Sequence, residues 1–194
     1  MSALPKSKLT ALQYLAIERE AEFKSEFFAG EMFAMAGAST PHNFIASNLV
    51  GELFARLKGG PCKTLFSDQR VKVDRTGLYT YPDILILCGA PHMDPDDPHT
   101  LLNPTAIIEV LSPSTEKYDR GGKFRNYTQI PSLKEYVLVA QDEPLCDRYI
   151  RQADGSWAWI SFVGLAETLV FTSVSAEIPL GDIYAGVMFP DAAT

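Results

Sequence analysis

A chain of 194 residues is long enough for one domain with a sizeable core and short for two, so residues 1–194 are expected to form a single domain. Its 46% hydrophobic and 21% charged content is that of an ordinary globular protein and excludes disordered and fibrous classes. With 17 Lys and Arg against 24 Asp and Glu, the net charge of -7 counts against bulk, non-specific attraction to nucleic acid, which leaves that role to a local basic patch.

After a short tail, "LTALQYLAIERE" places Leu9, Leu12, Leu15 and Ala16 at helical spacing and predicts a short amphipathic helix. "SEFFAGEMFAMAG" has two apolar runs about Ala29-Gly30 and reads as a β-hairpin with Gly30 supplying a positive φ. "STPHNFIASNLVGELFARLK" offers Ser39 or Thr40 as a cap, Pro41 in the first turn, and a stripe of Ile45, Leu49, Leu53 and Leu57, which together predict a long helix. "KTLFSDQRVKVD", "LYTYPDILILCG" and "TAIIEVLS" are rich in β-branched and aromatic residues and predict three consecutive strands. A polar helix over "EKYDRGGKFRNYTQI" is closed by Pro131. Strand-like runs follow in "EYVLVAQ", "LCDRYIRQ", "SWAWISFVG" and "TLVFTSVSAEIPL", and "LGDIYAGV" reads as a last helical turn. Helices and strands mixed in this way predict an α/β fold.

Cys62, Cys88 and Cys146 are distant, odd in number and without C-x-x-C spacing, so neither zinc nor a disulfide is expected. The start "MSALPKSKLT" has no apolar core for a signal peptide, and no run approaches the roughly 20 apolar residues of a membrane span; a reducing cytoplasm is the expected location. "PHMDPDDPH" gathers His92, Asp94, Asp96, Asp97 and His99 but lacks EF-hand Gly and Glu positions, and reads as a surface loop without metal. "RGGKFR" lacks P-loop spacing, and neither a G-x-S-x-G elbow nor a G-x-G-x-x-G turn occurs.

The chemistry concentrates elsewhere. In "AIIEVLSPST", Glu109 interrupts a run whose Ile107, Ile108, Val110 and Leu111 predict a strand covered on both faces. An ionised carboxylate there needs a partner, a proton or a metal. In "YPDILI", Asp83 stands just before an equally apolar run. Alone, either acid is explained by a turn or an arginine. Side by side on adjacent buried strands they would repel, and a hard divalent cation such as Mg²⁺, which takes one or two carboxylates plus water and phosphate, relieves that. Metal-assisted phosphodiester hydrolysis is the reaction this pairing suggests. Asp119, Lys123 and Tyr127 follow at i, i+4 and i+8, on one helix face, where Lys123 could stabilise a transition state or merely make an exposed pair with Asp119.

Asp83 in "PD", Glu109 in "IEV" and the string "LSPSTEKYDRGGKFRNYTQIPSLKEYVLV" resemble the Uma-type restriction endonuclease family of the PD-(D/E)XK nuclease superfamily; "SEFFAGEM", "STPHNFIASNL" and "SDQRVKV" extend the resemblance over nearly the whole chain. The resemblance implies a restriction endonuclease-like fold, a central mixed sheet flanked by helices with additional hairpins, with Asp83 and Glu109 as Mg²⁺ ligands and Mn²⁺ as a substitute. The superfamily's lysine stands two residues after the second acid, and here that position is Leu111. The family pattern moves the lysine role to Lys123, and adds Glu26 as a further acid and His42 as a contact to metal-ligated water or phosphate; by the residues alone Glu26 reads equally as a hairpin charge and His42 as a polar cap beside Pro41.

Basic residues flank the acids in sequence: Arg56, Lys58, Lys63, Arg70, Lys72 and Arg75 before them, and Lys117, Arg120, Lys123 and Arg125 after. Either group could meet phosphate or simply face solvent. The expected function is a Mg²⁺-dependent endonuclease acting on DNA, with a homodimer as the way to cut both strands. Its rival is a catalytically inactive nuclease-fold module for binding or assembly, motivated by Leu111 and the acidic total.

Overall fold

The computed structural model describes residues 8–189; the tail at residues 1–7 and residues 190–194 lie outside the described residues. Helix α1 (Ala11–Glu20) starts at Thr10, whose side chain accepts from Gln13 N–H while the Gln13 side chain accepts from Thr10 N–H, a reciprocal cap. The hairpin forms as β1 (Ser25–Phe28) and β2 (Glu31–Ala34), and both turn residues, Ala29 at φ 52° and Gly30 at φ 88°, are left-handed. Helix α2 (Thr40–Leu57) is capped by Ser39 and buries Ile45, Leu49, Leu53 and Leu57. Each of those four side chains contributes about 1.5–3 kcal/mol by leaving water.

The expected run of three strands is instead a run of seven. It comprises β3 (Cys62–Phe66), β4 (Arg70–Val73), β5 (Leu78–Thr80), β6 (Ile84–Cys88), β7 (Met93–Asp94), β8 (Asp97–Leu101) and β9 (Ala106–Val110). Turns within "FSDQR" and at "YPD" break the first two stretches in half and send the halves to different sheets. The polar helix is composite: α3 (Glu116–Tyr118), a π-helical turn over Asp119–Lys123, and α4 (Phe124–Tyr127). Then come β10 (Glu135–Val139), β11 (Leu145–Arg151), β12 (Trp157–Val163), the hairpin β13 (Thr168–Phe171) and β14 (Ala176–Pro179), and the short α5 (Leu180–Ile183).

The central sheet runs β12-β11-β10-β9-β6-β3, with β9 and β10 parallel and its other neighbours antiparallel. One face packs Ile84, Ile86, Ile108 and Val137 on the α2 stripe; the other packs Leu85, Ile107, Tyr136 and Leu138 against Val71, Val73 and Leu78 of the second sheet, β2-β1-β5-β4-β8-β7. Both faces of β6 and β9 are thereby dry, as their continuous apolar runs predict.

Three expectations are corrected. Cys62 and Cys88 are directly opposed in β3 and β6 and form a disulfide, with Cα atoms 4.0 Å apart. A separation of 26 residues hid a cross-strand adjacency that only the register reveals, and the cysteine pattern no longer argues for a reducing compartment. The acidic loop is the β7–β8 hairpin, where Asp94 and Asp97 are buried. Their partners come from the first basic segment: Arg70 pairs with Asp97, and Lys72 lies 2.9 Å from Asp94. Those two cations therefore neutralise buried acids and are not a surface for phosphate. No described helix is long and apolar enough to cross a membrane.

Candidate active site

Antiparallel pairing puts Ile84 of β6 opposite Ile108 of β9, so Asp83 and Glu109, one residue beyond that pair, meet at the same end of the two strands. Asp83 Oδ2 accepts from Val110 N–H at 2.8 Å, and Glu109 Oε2 accepts from Asp83 N–H at 3.2 Å, so each acid is tied to the other's strand. Glu109 is only 2% exposed, and its Oε1 accepts from the Tyr127 hydroxyl at 2.8 Å and from Lys123 Nζ at 3.1 Å.

Lys123 does not reach solvent. Its ammonium is buried within 3.1 Å of Glu26 Oε1, 3.1 Å of Glu109 Oε1 and 3.3 Å of Asp119 Oδ1. Glu26 arrives from β1 and is fixed by the Thr80 hydroxyl, which donates to its Oε1 at 2.6 Å. His42, in the first turn of α2, holds Nε2 3.1 Å from Asp83 Oδ2; its Nδ1 is buried with no hydrogen-bond partner among the described residues. Asp83, Glu109, Lys123, Glu26 and His42 therefore converge on one cavity of about 610 Å³.

Asp119 and Tyr127 belong to the same cluster. The signal for both was the i, i+4, i+8 spacing with Lys123; what periodicity left open was whether that face looks at solvent or at the sheet. The Asp119–Lys123 pair is buried, and Asp119 Oδ1 has no aligned hydrogen bond despite its closeness to the ammonium. Leu111 belongs to the apolar cluster of Ile107, Tyr127 and Tyr136 and does not line the cavity.

Burial pushes the Glu109 carboxyl up to about 8, with Lys123 opposing the shift and Asp83 and Asp119 adding to it. Burial also raises Asp119, again against Lys123. Lys123 goes the other way from what burial favours: Glu109, Glu26 and Asp119 together hold it well above the ordinary lysine value. The site thus holds more negative charge than one ammonium neutralises. Its hard oxygen donors and the unbonded Asp119 Oδ1 fit a cation such as Mg²⁺. Among the described residues no three His, Cys, Asp or Glu side chains close on a point tightly enough to hold an ion unaided.

Residues 11–180 match the Uma2 family, described as "Putative restriction endonuclease". Two uncharacterized proteins of Synechocystis sp. are similar: one is 35% identical over 95% of this chain and 96% of its own length, the other 34% identical over 80% and 88%. In fold, the chain resembles the crystal structure of a putative nuclease belonging to DUF820 from Anabaena variabilis, with a TM-score of 0.76 at 17% identity over 93% of this chain and 99% of that one.

Proposed function

The chain belongs to the Uma2 family of nuclease-like proteins, and from that premise we propose that it is a Mg²⁺-dependent endonuclease hydrolysing phosphodiester bonds in DNA. The observation that carries the reading is the position of Lys123, whose ammonium meets Glu26, Glu109 and Asp119 beside Asp83. It supplies from a helix the charge that Leu111 lacks on the strand.

Asp83 and Glu109 would hold the ion, with Mn²⁺ as a substitute. When bound, Mg²⁺ supplies Lewis acidity to the phosphoryl oxygens and acidifies water at neutral pH. The chain's own groups do the rest. Val110 N–H and His42 fix the Asp83 carboxylate, and the Tyr127 hydroxyl orients Glu109. Lys123 would neutralise charge as it develops on the scissile phosphate, an effect worth most in a site from which water is excluded. Glu26 and Asp119 keep that ammonium protonated and in place. His42 would contact water or phosphate beside Asp83.

Calorimetric titration of Mg²⁺ and Mn²⁺ into the wild type and the Asp83→Asn variant, followed by cleavage assays on single-stranded, duplex and branched DNA, tests the reading. Saturable binding lost in the variant, together with Mg²⁺-dependent cleavage, is expected. Binding without cleavage of any substrate would return the chain to an inactive binding module. A homodimer cutting both strands of a duplex belongs to the same proposal, and sedimentation of the protein with and without DNA measures it.

A further inference from the structure

The composite helix that delivers Lys123 has a second face. Asp119, Lys123 and Tyr127 turn toward the acids, whereas Tyr118, Gly122, Arg125, Asn126 and Gln129, spaced at i, i+4, i+7, i+8 and i+11, line a separate recess of about 830 Å³. The two cavities share walls at Phe28, Ser114 and Tyr118, so they adjoin.

Their chemistry is opposite. The acid cavity gathers Glu26, Asp83, Glu109 and Asp119, while the only charged residues lining the recess are Lys117 and Arg125. Both cations are exposed and neither forms an ion pair with any described residue, unlike Arg56, Arg70, Lys72, Arg120 and Lys123. Between the cavities Tyr118 is 38% exposed and lies flat on the helix, because Gly122 has no side chain: a Cβ there would stand 2.6 Å from the Tyr118 ring. Asn126 and Gln129 add amide groups to the wall; their N–H groups donate to Gly122 O at 2.9 Å and Thr128 Oγ1 at 3.3 Å, which leaves their oxygens as acceptors.

Two exposed cations with no ion-pair partner among the described residues select an anion. An aromatic face and two amides select a flat, hydrogen-bonding ring. In a duplex the base faces are covered by stacking, so the Tyr118 ring can be used in full only on a nucleotide out of the stack, where the amides also reach the pairing edge. We infer that the recess binds an unpaired nucleotide of the substrate strand next to the phosphate at Glu109 and Lys123. Tyr118 stacks on the base, and Lys117 and Arg125 take the adjoining phosphates. The inference rests on the nuclease reading and narrows its substrate to DNA with an unpaired segment at the site.

Fluorescence anisotropy of a labelled single-stranded oligodeoxynucleotide, and of the same sequence as a blunt duplex, tests it in Ca²⁺, a hard cation with the same preference for oxygen donors. Wild-type protein binds the single strand more tightly. Tyr118→Ala weakens single-strand binding by about 5- to 140-fold, the range for losing one stacked base, whereas Tyr118→Phe retains it. The double variant Lys117→Gln, Arg125→Gln lowers the slope of log affinity against log salt by about 1.4, the share of two phosphates on a single strand. A folding defect would not change that slope while sparing the phenylalanine variant. Wild-type affinity and salt slope in both Tyr118→Ala and the double variant, or a preference for duplex, overturns the subsite. If the wild type still cleaves DNA in Mg²⁺ under that outcome, the nuclease reading stands without it. A wild type that neither binds nor cleaves DNA overturns both.

Discussion

Replacing Glu109 by glutamine should flatten the fall of stability with rising pH. Glu109 is 2% exposed and its carboxyl is raised from 4.5 to about 8, chiefly by burial. Between those values the folded protein keeps a proton that the unfolded chain has released, so folding is favoured at the acid end and the advantage is lost as pH rises toward 8. One extra proton in the folded state gives a slope of about -1.4 kcal/mol per pH unit, accumulating to roughly 5 kcal/mol across the window. Lys123 does not compensate there, since its raised pKa contributes stability that is fully present across this window and is lost only in alkali above the ordinary lysine value. The amide of the Glu109→Gln variant would retain the shape and the acceptor for Tyr127 without the titration, and Asp119 would keep its own contribution of the same sign. Urea unfolding of wild type and Glu109→Gln at steps between pH 5 and 8 measures the difference. Equal slopes would refute the assignment of a proton to Glu109. The same proton should leave when Mg²⁺ binds below pH 8, so the apparent binding enthalpy should vary with the ionisation enthalpy of the buffer, by up to one proton per ion.

Other outcomes follow from the geometry. Lys123→Met should lower kcat on DNA by about 10²- to 10³-fold, the scale of losing one electrostatic stabiliser, while Mg²⁺ still binds in calorimetry. Arg70→Met leaves the buried Asp97 with only the half-exposed Arg19 as a cationic partner and should cost about 3 kcal/mol in urea unfolding, yet leave the salt dependence of DNA binding unchanged. Reducing the Cys62–Cys88 bridge, or the double Cys→Ser variant, should cost about 3–4 kcal/mol by freeing a loop of 26 residues in the unfolded chain. The single-domain reading requires one cooperative transition in all of these measurements.

What the sequence made legible was whatever depends on neighbours along the chain. The α2 stripe, its Ser39 cap, the Ala29-Gly30 turn and the apolar strands around Asp83 and Glu109 are all local patterns, and each is found where its pattern places it. Charges were harder. Lys123 reads identically in sequence whether its helix face meets water or three carboxylates, so its burial required the packing of the helix on the sheet. Arg70 and Lys72 looked like a basic surface because Asp94 and Asp97, their partners, sit more than twenty residues away in what resembled a loop. The disulfide was invisible for the same reason. A gap of 26 residues says nothing about strands that happen to be laid in register.

The lysine's arrival on a helix separates two jobs that would otherwise fall to a single strand position. With Leu111 in the same apolar cluster as Tyr127 and Tyr136, the end of β9 brings one acid, Glu109, to the site and no cation. The charge is carried by a segment whose π-helical turn, Asp119–Lys123, has one residue more than an α-helix would use in the same ring. That extra residue acts like the slide of a vernier. Deleting Gly121 or Gly122 would restore ordinary winding within the turn, change the spacing of Asp119 and Lys123, and leave the flanking helix and the sheet in place. Spacing between acid and lysine in such a chain is therefore adjustable by helix length alone, with no register of the sheet to repair.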